Sequence, residues 1–276
     1  MRLPDPREYK TFKPKVKPKV YQEKKWDFEK LKQNEYIWEN YFLTFYPKFG
    51  LIDELFTNDL LPLKEYERLQ IFRKKFSENS NIRLLYSMLH NSIVIELYDN
   101  NELISLIFRH YYEQIKKVAE NKYLRNKESL IKWKTYGSKR FIPYRLKDGN
   151  NYCFCAFGMA EILLFELLEL DYFVLQSDSI AYNIENNPYF QPIKEKLKDR
   201  AVYIIPDNDE SGINAAKKLK KAITSSKPIL ILSLEEITGE ALPKGYDLRD
   251  FFNEYPKNYA LILINEAIKK MRKGIK

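Results

Sequence analysis

Short apolar runs alternate with amphipathic segments through the second half of the chain. Aromatic and branched aliphatic residues dominate these runs, which predict four strands at 152–157, 172–177, 201–205 and 228–234. The segments between the runs repeat apolar residues at the spacing of a helix. Strands and helices that alternate in this order predict an α/β fold, with helices on both faces of a parallel sheet.

The first half of the chain shows a different pattern. Residues 26–90 place Trp, Tyr, Phe and Leu at helical spacing, as in "FEKLKQNEYIWENYFLTFY" and "LKEYERLQIFRKKF", which predicts amphipathic helices with aromatic core positions. Within 92–111, two apolar runs flank an Asp-Asn-Asn turn at 99–101. Because Asn tolerates a positive φ, this turn indicates a β-hairpin. We therefore expect a smaller, mostly helical α+β subdomain ahead of the parallel sheet.

Positive charge is concentrated at the beginning of the chain. Residues 1–25 hold nine Lys or Arg and three acidic residues, and so carry +6 of the total net charge of +9. Alternating Lys and Pro in "TFKPKVKPKVYQEKK" disfavours helix and offers nothing to a core. This segment is either a solvated tail or an extended arm that binds a polyanion such as nucleic acid. Its candidate binding residues are Lys13, Lys15, Lys17 and Lys19.

These patterns divide the chain into four parts. We predict a basic flexible arm, an N-terminal α+β subdomain, an α/β domain and a C-terminal helix, at residues 1–25, 26–150, 151–255 and 256–276.

Acidic residues follow the predicted strand at 201–205. The sequence "PDNDESG" places Asp207 and Asp209 just past this strand, at the edge of a parallel sheet where functional loops lie. An Asp-x-Asp pair offers the hard oxygen ligands that Mg²⁺ or Mn²⁺ takes. The alternative is structural: Asp209 or Ser211 caps the following helix, and Asp207 is solvated.

A second acidic loop follows the last predicted strand. "KGYDLRDFFNE" carries Asp247 and Asp250, again on the carboxyl side of a strand. Two acidic loops from two strands of one sheet can converge on the same metal ions. The same rule draws attention to two further loops, at 157–158 and 177–178.

The segment "VYIIPDNDESGINAAKKL" resembles the Asp-x-Asp motif of Toprim domains, in which the acids precede a small residue, a Gly and an alanine-rich helix start. Upstream segments resemble the catalytic core of bacterial DnaG-type primases. "SIVIELYDNNELISLIFR" is similar to its strand–turn–strand–Arg segment, "NKYLRN" to its Pro-Lys-Tyr-Leu-Asn-Ser motif, and "KWKTYG" falls at its Leu-Tyr-Gly. "GYDLRDFF" resembles the end of the Toprim unit. The resemblance covers roughly residues 90–255.

This resemblance implies a Toprim-like sheet and a Mg²⁺-dependent (or Mn²⁺-dependent) nucleotidyltransferase that acts on single-stranded DNA in replication. Asp207 and Asp209 would be catalytic and would hold the metal, with Asp247 as a further ligand. In a primase the metal ions activate a 3′-hydroxyl and neutralise the triphosphate of the incoming nucleotide.

One position departs from the family pattern. The family ends its first Toprim strand with Glu-Gly-x-x-Asp, whereas this chain has "FGMAE", so Phe157 stands where the Glu belongs. Glu161 takes the place of the following Asp, in the first turn of the helix. Either Glu161 reaches the metal and serves as a catalytic substitute, or it only stabilises the helix N-terminus and the enzymatic activity is weakened or lost.

The resemblance also suggests partners. Arg109 and Lys122 match basic residues that face template and nucleotide in primases, the alternative being ordinary surface charge. Single-stranded DNA and nucleotides are the expected ligands, and a replicative helicase is a candidate partner. A Cys/His cluster for a zinc-binding domain and a P-loop are both missing from the sequence, so we expect a stand-alone core without a fused helicase.

The cysteines and the hydropathy of the chain indicate the cellular compartment in which we expect the protein. Cys153 and Cys155 are two residues apart on a predicted strand, which does not suit a disulfide, and we interpret both as buried apolar residues. With no apolar run long enough to span a membrane and no signal peptide in the sequence, we expect a cytoplasmic protein without a membrane partner.

Two other functions use the same residues. A catalytically degenerate Toprim protein would bind nucleic acid as a replication accessory, and its binding would be salt-sensitive without any metal-dependent product. A Toprim-type nuclease would cut DNA with the same carboxylates.

Overall fold

The computed structural model describes residues 25–38, 81–87, 92–110 and 133–274. The predicted helix "LKEYERLQIFRKKF" and almost all of the basic arm lie outside these residues.

Ten strands and seven α-helices are assigned within the described residues. The strands are β1 Ile37–Trp38, β2 Ile82–Ser87, β3 Ser92–Asp99, β4 Glu102–His110, β5 Trp133–Gly137, β6 Tyr144–Arg145, β7 Tyr152–Phe157, β8 Tyr172–Leu175, β9 Ala201–Ile204 and β10 Ile229–Ile231. The helices are α1 Phe28–Asn34, α2 Ala160–Leu167, α3 Gln191–Lys196, α4 Glu210–Ala222, α5 Leu234–Thr238, α6 Leu248–Glu254 and α7 Lys257–Gly274, with a 3₁₀ helix at Asp178–Asn186.

The first sheet is antiparallel, in the order β1-β2-β3-β4-β5. The predicted hairpin is confirmed: β3 and β4 are joined by Asn100 and Asn101, whose φ values are 48° and 68°. Two consecutive positive φ angles match the right-handed twist of the strands, and Asn accepts them more readily than other side chains.

The second sheet has the order β10-β9-β7-β8-β6. Its four strands from β7 to β10 are parallel, as the sequence predicts, and β6 pairs antiparallel with β8 at the edge. Side chains alternate between two buried clusters, so that in β7 Phe154 and Ala156 face one cluster while Cys153, Cys155 and Phe157 face the other.

Helices cover both faces of this sheet. One cluster contains residues of α2, α5, α6 and α7, and the other contains residues of the 3₁₀ helix, α3 and α4. Ile82, Ile95 and Ile107 of the first sheet also belong to the first cluster, so the two sheets share a core. The molecule is therefore a mixed α/β structure.

One local expectation was wrong, and one element was missed. The helix predicted to continue past residue 34 ends there, because Tyr36 takes a φ of 47° and Ile37–Trp38 then pairs with β2. The 3₁₀ helix was not predicted. In the described part of 26–150, strands outnumber the one helix, while most of the segments predicted to be helical lie outside the described residues.

Buried ion pairs fix the end of the second sheet that lies opposite the strand carboxyl ends. Arg200, just before β9, donates from Nη1 to Asp171 Oδ2 over 2.7 Å, and Asp171 immediately precedes β8. The backbone N–H of Lys147 donates to the same carboxylate oxygen. Asp171 and Arg200 are 1% and 7% exposed, so each depends on the other for charge compensation.

Removing one partner of this pair should be costly. We expect Asp171→Ala to lower the free energy of unfolding by about 3–5 kcal/mol, since Arg200 would be left buried without its counter-ion. Urea denaturation at pH 7 measures the change. The matched control is Glu195→Ala, which breaks an exposed ion pair with Lys198 and should change stability by less than about 0.5 kcal/mol. An equal loss of unfolding free energy in both variants would contradict the conclusion that Asp171 compensates the buried charge of Arg200.

Candidate active site

Three neighbouring parallel strands end in loops that carry acidic residues. Strand β9 is followed by buried Pro206 and then by Asp207. Strand β7 is followed by α2, which carries Glu161 in its first turn. Strand β8 is followed by the 3₁₀ helix, which begins at Asp178. Asp247 precedes α6 and completes the group. The carboxyl ends of parallel strands lie at one edge of a sheet, so the loops that carry these acids lie along that edge. We call Glu161, Asp178, Asp207, Asp209 and Asp247 the acidic cluster.

Asp207 lies at the centre of the acidic cluster. Its side chain is largely withdrawn from solvent, and no hydrogen bond or ion pair joins its carboxylate to another described residue. Its pKa is raised from 3.8 to about 8, chiefly by burial and then by the charges of Glu161, Asp247, Asp178 and Asp209, in that order. The carboxylate therefore lacks the positive partner that a buried acid requires.

Asp209 caps helix α4. Its Oδ1 accepts a hydrogen bond from the backbone N–H of Gly212 over 2.7 Å, so the structural alternative is confirmed for this residue. That alternative also placed Asp207 in solvent, and there it was wrong. Capping uses one oxygen of Asp209 and does not prevent the other from binding a ligand.

Gly212 lets the first turn of α4 lie directly on Asp207. A Cβ at this position would fall 2.8 Å from the carbonyl oxygen of Asp207 and 3.1 Å from its backbone nitrogen. Both atoms belong to the backbone and cannot rotate away. A side chain at position 212 would therefore displace the residue at the centre of the acidic cluster.

Asp247 caps helix α6 in a capping box. Its Oδ1 accepts from the backbone N–H groups of Arg249 and Asp250, and Asp250 in turn accepts from the backbone N–H of Asp247. The Arg249 guanidinium also donates from Nη2 to Asp247 Oδ2. Asp247 is thus hydrogen-bonded through both oxygens, unlike Asp207.

Glu161 points into the acidic cluster. The residue is 3% exposed, and its Oε1 lies 3.3 Å from Nε of Arg249. Burial raises its pKa to about 7, while the Arg249 charge opposes the rise. Gly158 makes room for this side chain, because a Cβ there would lie 2.5 Å from Glu161 Oε2.

Phe157 belongs to the apolar core. It ends β7, is 2% exposed and packs in the cluster that faces α3 and α4. A carboxylate at this position would lie among apolar side chains unless the strand rotated.

Asn208 joins the two acidic loops. Its backbone N–H donates to the carbonyl of Tyr246, and its carbonyl accepts from Gly245. Its side-chain Nδ2 donates to the carbonyls of Leu242 and Pro243. Asp207 and Asp209 are therefore held in a fixed position relative to Asp247.

The structure describes little of the basic residues that the sequence predicts to bind nucleic acid or nucleotide. Arg109 lies on β4, with its backbone opposite Ile93 and Trp133, and only its backbone is described. Lys122 and the arm lysines Lys13, Lys15, Lys17 and Lys19 lie outside the described residues.

Sequence reasoning missed two residues of the site. Arg249 and Asn208 each stand between two acids, in "DLRD" and "DND", and this position is the signal that could have identified them. A cation or an amide between aspartates can compensate charge or join loops, whereas the prediction concentrated on the acids alone.

The described residues contain neither a group of metal-ligating side chains nor a membrane-spanning helix. No group of three or more His, Cys, Asp or Glu side chains is arranged to hold a metal ion in this part of the chain. Among the helices described, none combines the length and apolar character needed to cross a membrane.

Fold and site together define an α/β protein with an acidic cluster at the carboxyl edge of a parallel sheet. Neither a protein-family profile nor a curated protein matches the chain. Among solved structures, it is similar to the primase fragment of the bacteriophage T7 primase-helicase protein, with 16% identity and a TM-score of 0.44 over 71% of this chain and 69% of that chain. It is also similar to a DNA primase domain from Pseudomonas aeruginosa, with 9% identity and a TM-score of 0.39 over 86% of this chain and 67% of that chain. Values this low establish neither a common family nor a common activity.

Gly212→Ala tests the contact between α4 and Asp207. Alanine favours a helix over glycine by about 1 kcal/mol, yet we expect a net loss of about 1–3 kcal/mol in the free energy of unfolding, because the new Cβ overlaps the Asp207 backbone. Chemical denaturation measures it. Gly274→Ala is the control: its Cβ meets nothing within 4 Å, so stability should stay within about 0.5 kcal/mol. A Gly212→Ala variant more stable than the wild type would exclude an overlap between the new Cβ and the Asp207 backbone.

The pKa of Asp207 predicts how stability depends on pH in metal-free protein. Folding raises this pKa from 3.8 to about 8, so the folded chain keeps a proton that the unfolded chain releases. The contribution to stability is fully present below about pH 4 and is lost as pH rises through about 8. Asp207→Asn cannot ionise, and its Tm should therefore exceed that of the wild type at pH 8 by roughly 2–6 °C, with the difference vanishing towards pH 4.

Thermal unfolding in the presence of EDTA at several pH values measures this difference. The control is Asp148→Asn, which removes an exposed aspartate from a turn and should leave the pH profile unchanged. Parallel profiles of Asp207→Asn and wild type would show that Asp207 does not hold the proton.

Proposed function

We propose that this chain is the Toprim-like catalytic core of a primase-like, Mg²⁺-dependent nucleotidyltransferase that acts on single-stranded DNA in replication. The proposal rests on one observation. The Asp-x-Asp residues Asp207 and Asp209 stand at the carboxyl end of a central parallel strand, with Glu161 and Asp247 beside them. The order of primase-like motifs in the sequence supports the same function.

The residues present fit one Mg²⁺ ion. Asp207 has a carboxylate with no described partner, and Asp209 keeps one oxygen free of its capping bond. Mg²⁺ in proteins is commonly held by one or two carboxylates, with waters and substrate phosphates as the other ligands. A site with two carboxylates therefore agrees with the absence of a three-acid group among the described residues.

When bound, Mg²⁺ supplies positive charge for the nucleotide triphosphate and for the attacking 3′-hydroxyl. The chain itself supplies position. Gly212 holds Asp207 against α4, and Asn208 keeps the loop of Asp207 next to that of Asp247. Pre-organised ligands of this kind leave little to reorganise when substrate binds.

Glu161 is proposed as the substitute for the missing family glutamate. Its carboxylate lies close enough to raise the pKa of Asp207, and its own pKa of about 7 suits proton transfer near neutral pH. In this role it accepts the proton of the 3′-hydroxyl, after which Arg249 stabilises the carboxylate form of Glu161 when the proton leaves.

Nucleic acid and nucleotides are the proposed ligands of the basic residues. Arg109 and Lys122 would face template and nucleotide, and a replicative helicase remains a proposed partner. The arm would contact the DNA backbone through charges that release counter-ions on binding, so affinity should fall with salt. The arm residues in question are Lys13, Lys15, Lys17 and Lys19.

One observation favours a second candidate, a catalytically degenerate accessory that binds nucleic acid. Phe157 lies in the apolar core where primases carry a glutamate, so the catalytic set of the family is incomplete. Phe157→Glu is a poor test of this reading, because it would bury a carboxylate among apolar side chains and destabilise the fold whatever the function.

Primer synthesis on single-stranded DNA with labelled nucleotides tests the proposal. We expect a Mg²⁺- or Mn²⁺-dependent product from the wild type and a decrease of about 100-fold or more in Asp207→Asn, because the variant loses a metal ligand. Mn²⁺ should also raise the Tm of the wild type and not that of Asp207→Asn. Asp148→Asn serves as the surface control for both measurements.

DNA binding at several salt concentrations and incubation of labelled DNA with metal ion, measured beside primer synthesis, separate the alternatives. Salt-sensitive DNA binding without any metal-dependent product identifies the accessory protein. Metal-dependent degradation of the labelled DNA identifies a nuclease. Primer synthesis that is unchanged in Asp207→Asn rules out the assigned site.

A further inference from the structure

Arg249 places a fixed positive charge inside the acidic cluster. Its guanidinium donates from Nη2 to Asp247 Oδ2, and its Nε lies 3.3 Å from Glu161 Oε1. Of the ion pairs between described residues, two involve the acidic cluster, and both use Arg249. One side chain therefore bridges two carboxylates that come from different helices.

The acidic cluster is divided by this contact. Glu161 and Asp247 have a cationic partner, whereas Asp178, Asp207 and Asp209 have none among the described residues. A guanidinium does not lose its proton at any pH a protein tolerates, and its planar fork matches carboxylate oxygens. A divalent cation is attracted to the acids without a cationic partner and repelled from the pair that already holds Arg249.

The position of Arg249 is fixed from both sides. Its backbone lies in the first turn of α6, which is anchored by the buried side chains of Leu248, Phe251 and Phe252. Helix α6 packs against α2, which carries Glu161. The cap of α6 does not require the guanidinium, since Asp247 and Asp250 form it with backbone groups alone. The charged end of Arg249 therefore does not serve the cap, and the two ion pairs described for it lie in the acidic cluster.

We propose that Arg249 takes the place of a second divalent cation, so that the site binds a single metal ion, at Asp207 and Asp209. Glu161 and Asp247 bind the guanidinium instead of metal. The inference rests on the proposed function for the metal at Asp207 and Asp209, and adds that the site differs from a two-metal centre. It also accounts for the lack of a three-acid metal group in the described part of the chain.

Mn²⁺ binding to the full chain, without nucleotide or DNA, tests this inference. We expect one Mn²⁺ per wild-type chain by equilibrium dialysis and, at saturation, the electron paramagnetic resonance spectrum of isolated ions. Arg249→Gln removes the charge and keeps the backbone cap, so it should bind one Mn²⁺ more than the wild type, with spin coupling between two neighbouring ions. Arg249→Lys keeps a positive charge and should bind the same number as the wild type.

The difference in Mn²⁺ count between Arg249→Gln and wild type decides the inference. No gain in Arg249→Gln overturns it, and so does a gain of the same size in Arg249→Lys. A coupled pair of ions in the wild type overturns it even if Arg249→Gln does not fold.

The metal count of the wild type decides the proposed function separately. Absence of Mn²⁺ from the wild type together with one ion in Arg249→Gln removes the metal-dependent function, yet supports Arg249 as the internal cation. One ion in both proteins leaves the proposed function standing and excludes this role for Arg249.

Discussion

Repulsion between carboxylates in a desolvated corner is the constraint on which the structure of the site depends. Five acids meet at the carboxyl edge of the second sheet, and burial makes each negative charge costly unless a positive group lies beside it. The chain meets this requirement in two ways: backbone N–H groups at helix N-termini for Asp209 and Asp247, and a guanidinium for Glu161 and Asp247. Neither contact is described for Asp178 or Asp207, and burial together with the neighbouring negative charges raises the pKa of Asp207.

Capping and ligand binding are compatible in this arrangement. The capping hydrogen bond to Asp209 orients its carboxylate and leaves an oxygen for another partner, so the structural and functional interpretations of this aspartate do not exclude each other. Asp247 differs because its second oxygen contacts Arg249. Asp209 and Asp247 are both helix N-caps, yet only Asp209 keeps an oxygen for a ligand. The difference comes from Arg249, two residues after Asp247, which contacts the second oxygen of Asp247.

Periodicity and turn chemistry carried most of the fold prediction. The alternation of apolar runs was sufficient to predict the parallel sheet, and the Asn pair at 100–101 was sufficient for the hairpin. The early end of α1 was not predictable, because pairing of Ile37–Trp38 with β2 is a tertiary contact that overrides helical spacing. In the site, the loops that carry the acids were predictable from their place after strands, whereas the contact of Arg249 with Glu161 joins two helices far apart in sequence.

Asn208 has a consequence for how the molecule opens. Its hydrogen bonds to 242–246 close the stretch that contains α4, β10 and α5 into a ring whose two ends meet at one residue. When the hydrogen bonds of Asn208 break, a cooperative unit closed in this way is released at both of its ends. The neighbouring carboxylates of Asp207 and Asp247 would then separate in a single step of local unfolding, so the site is lost as a whole and does not decay gradually.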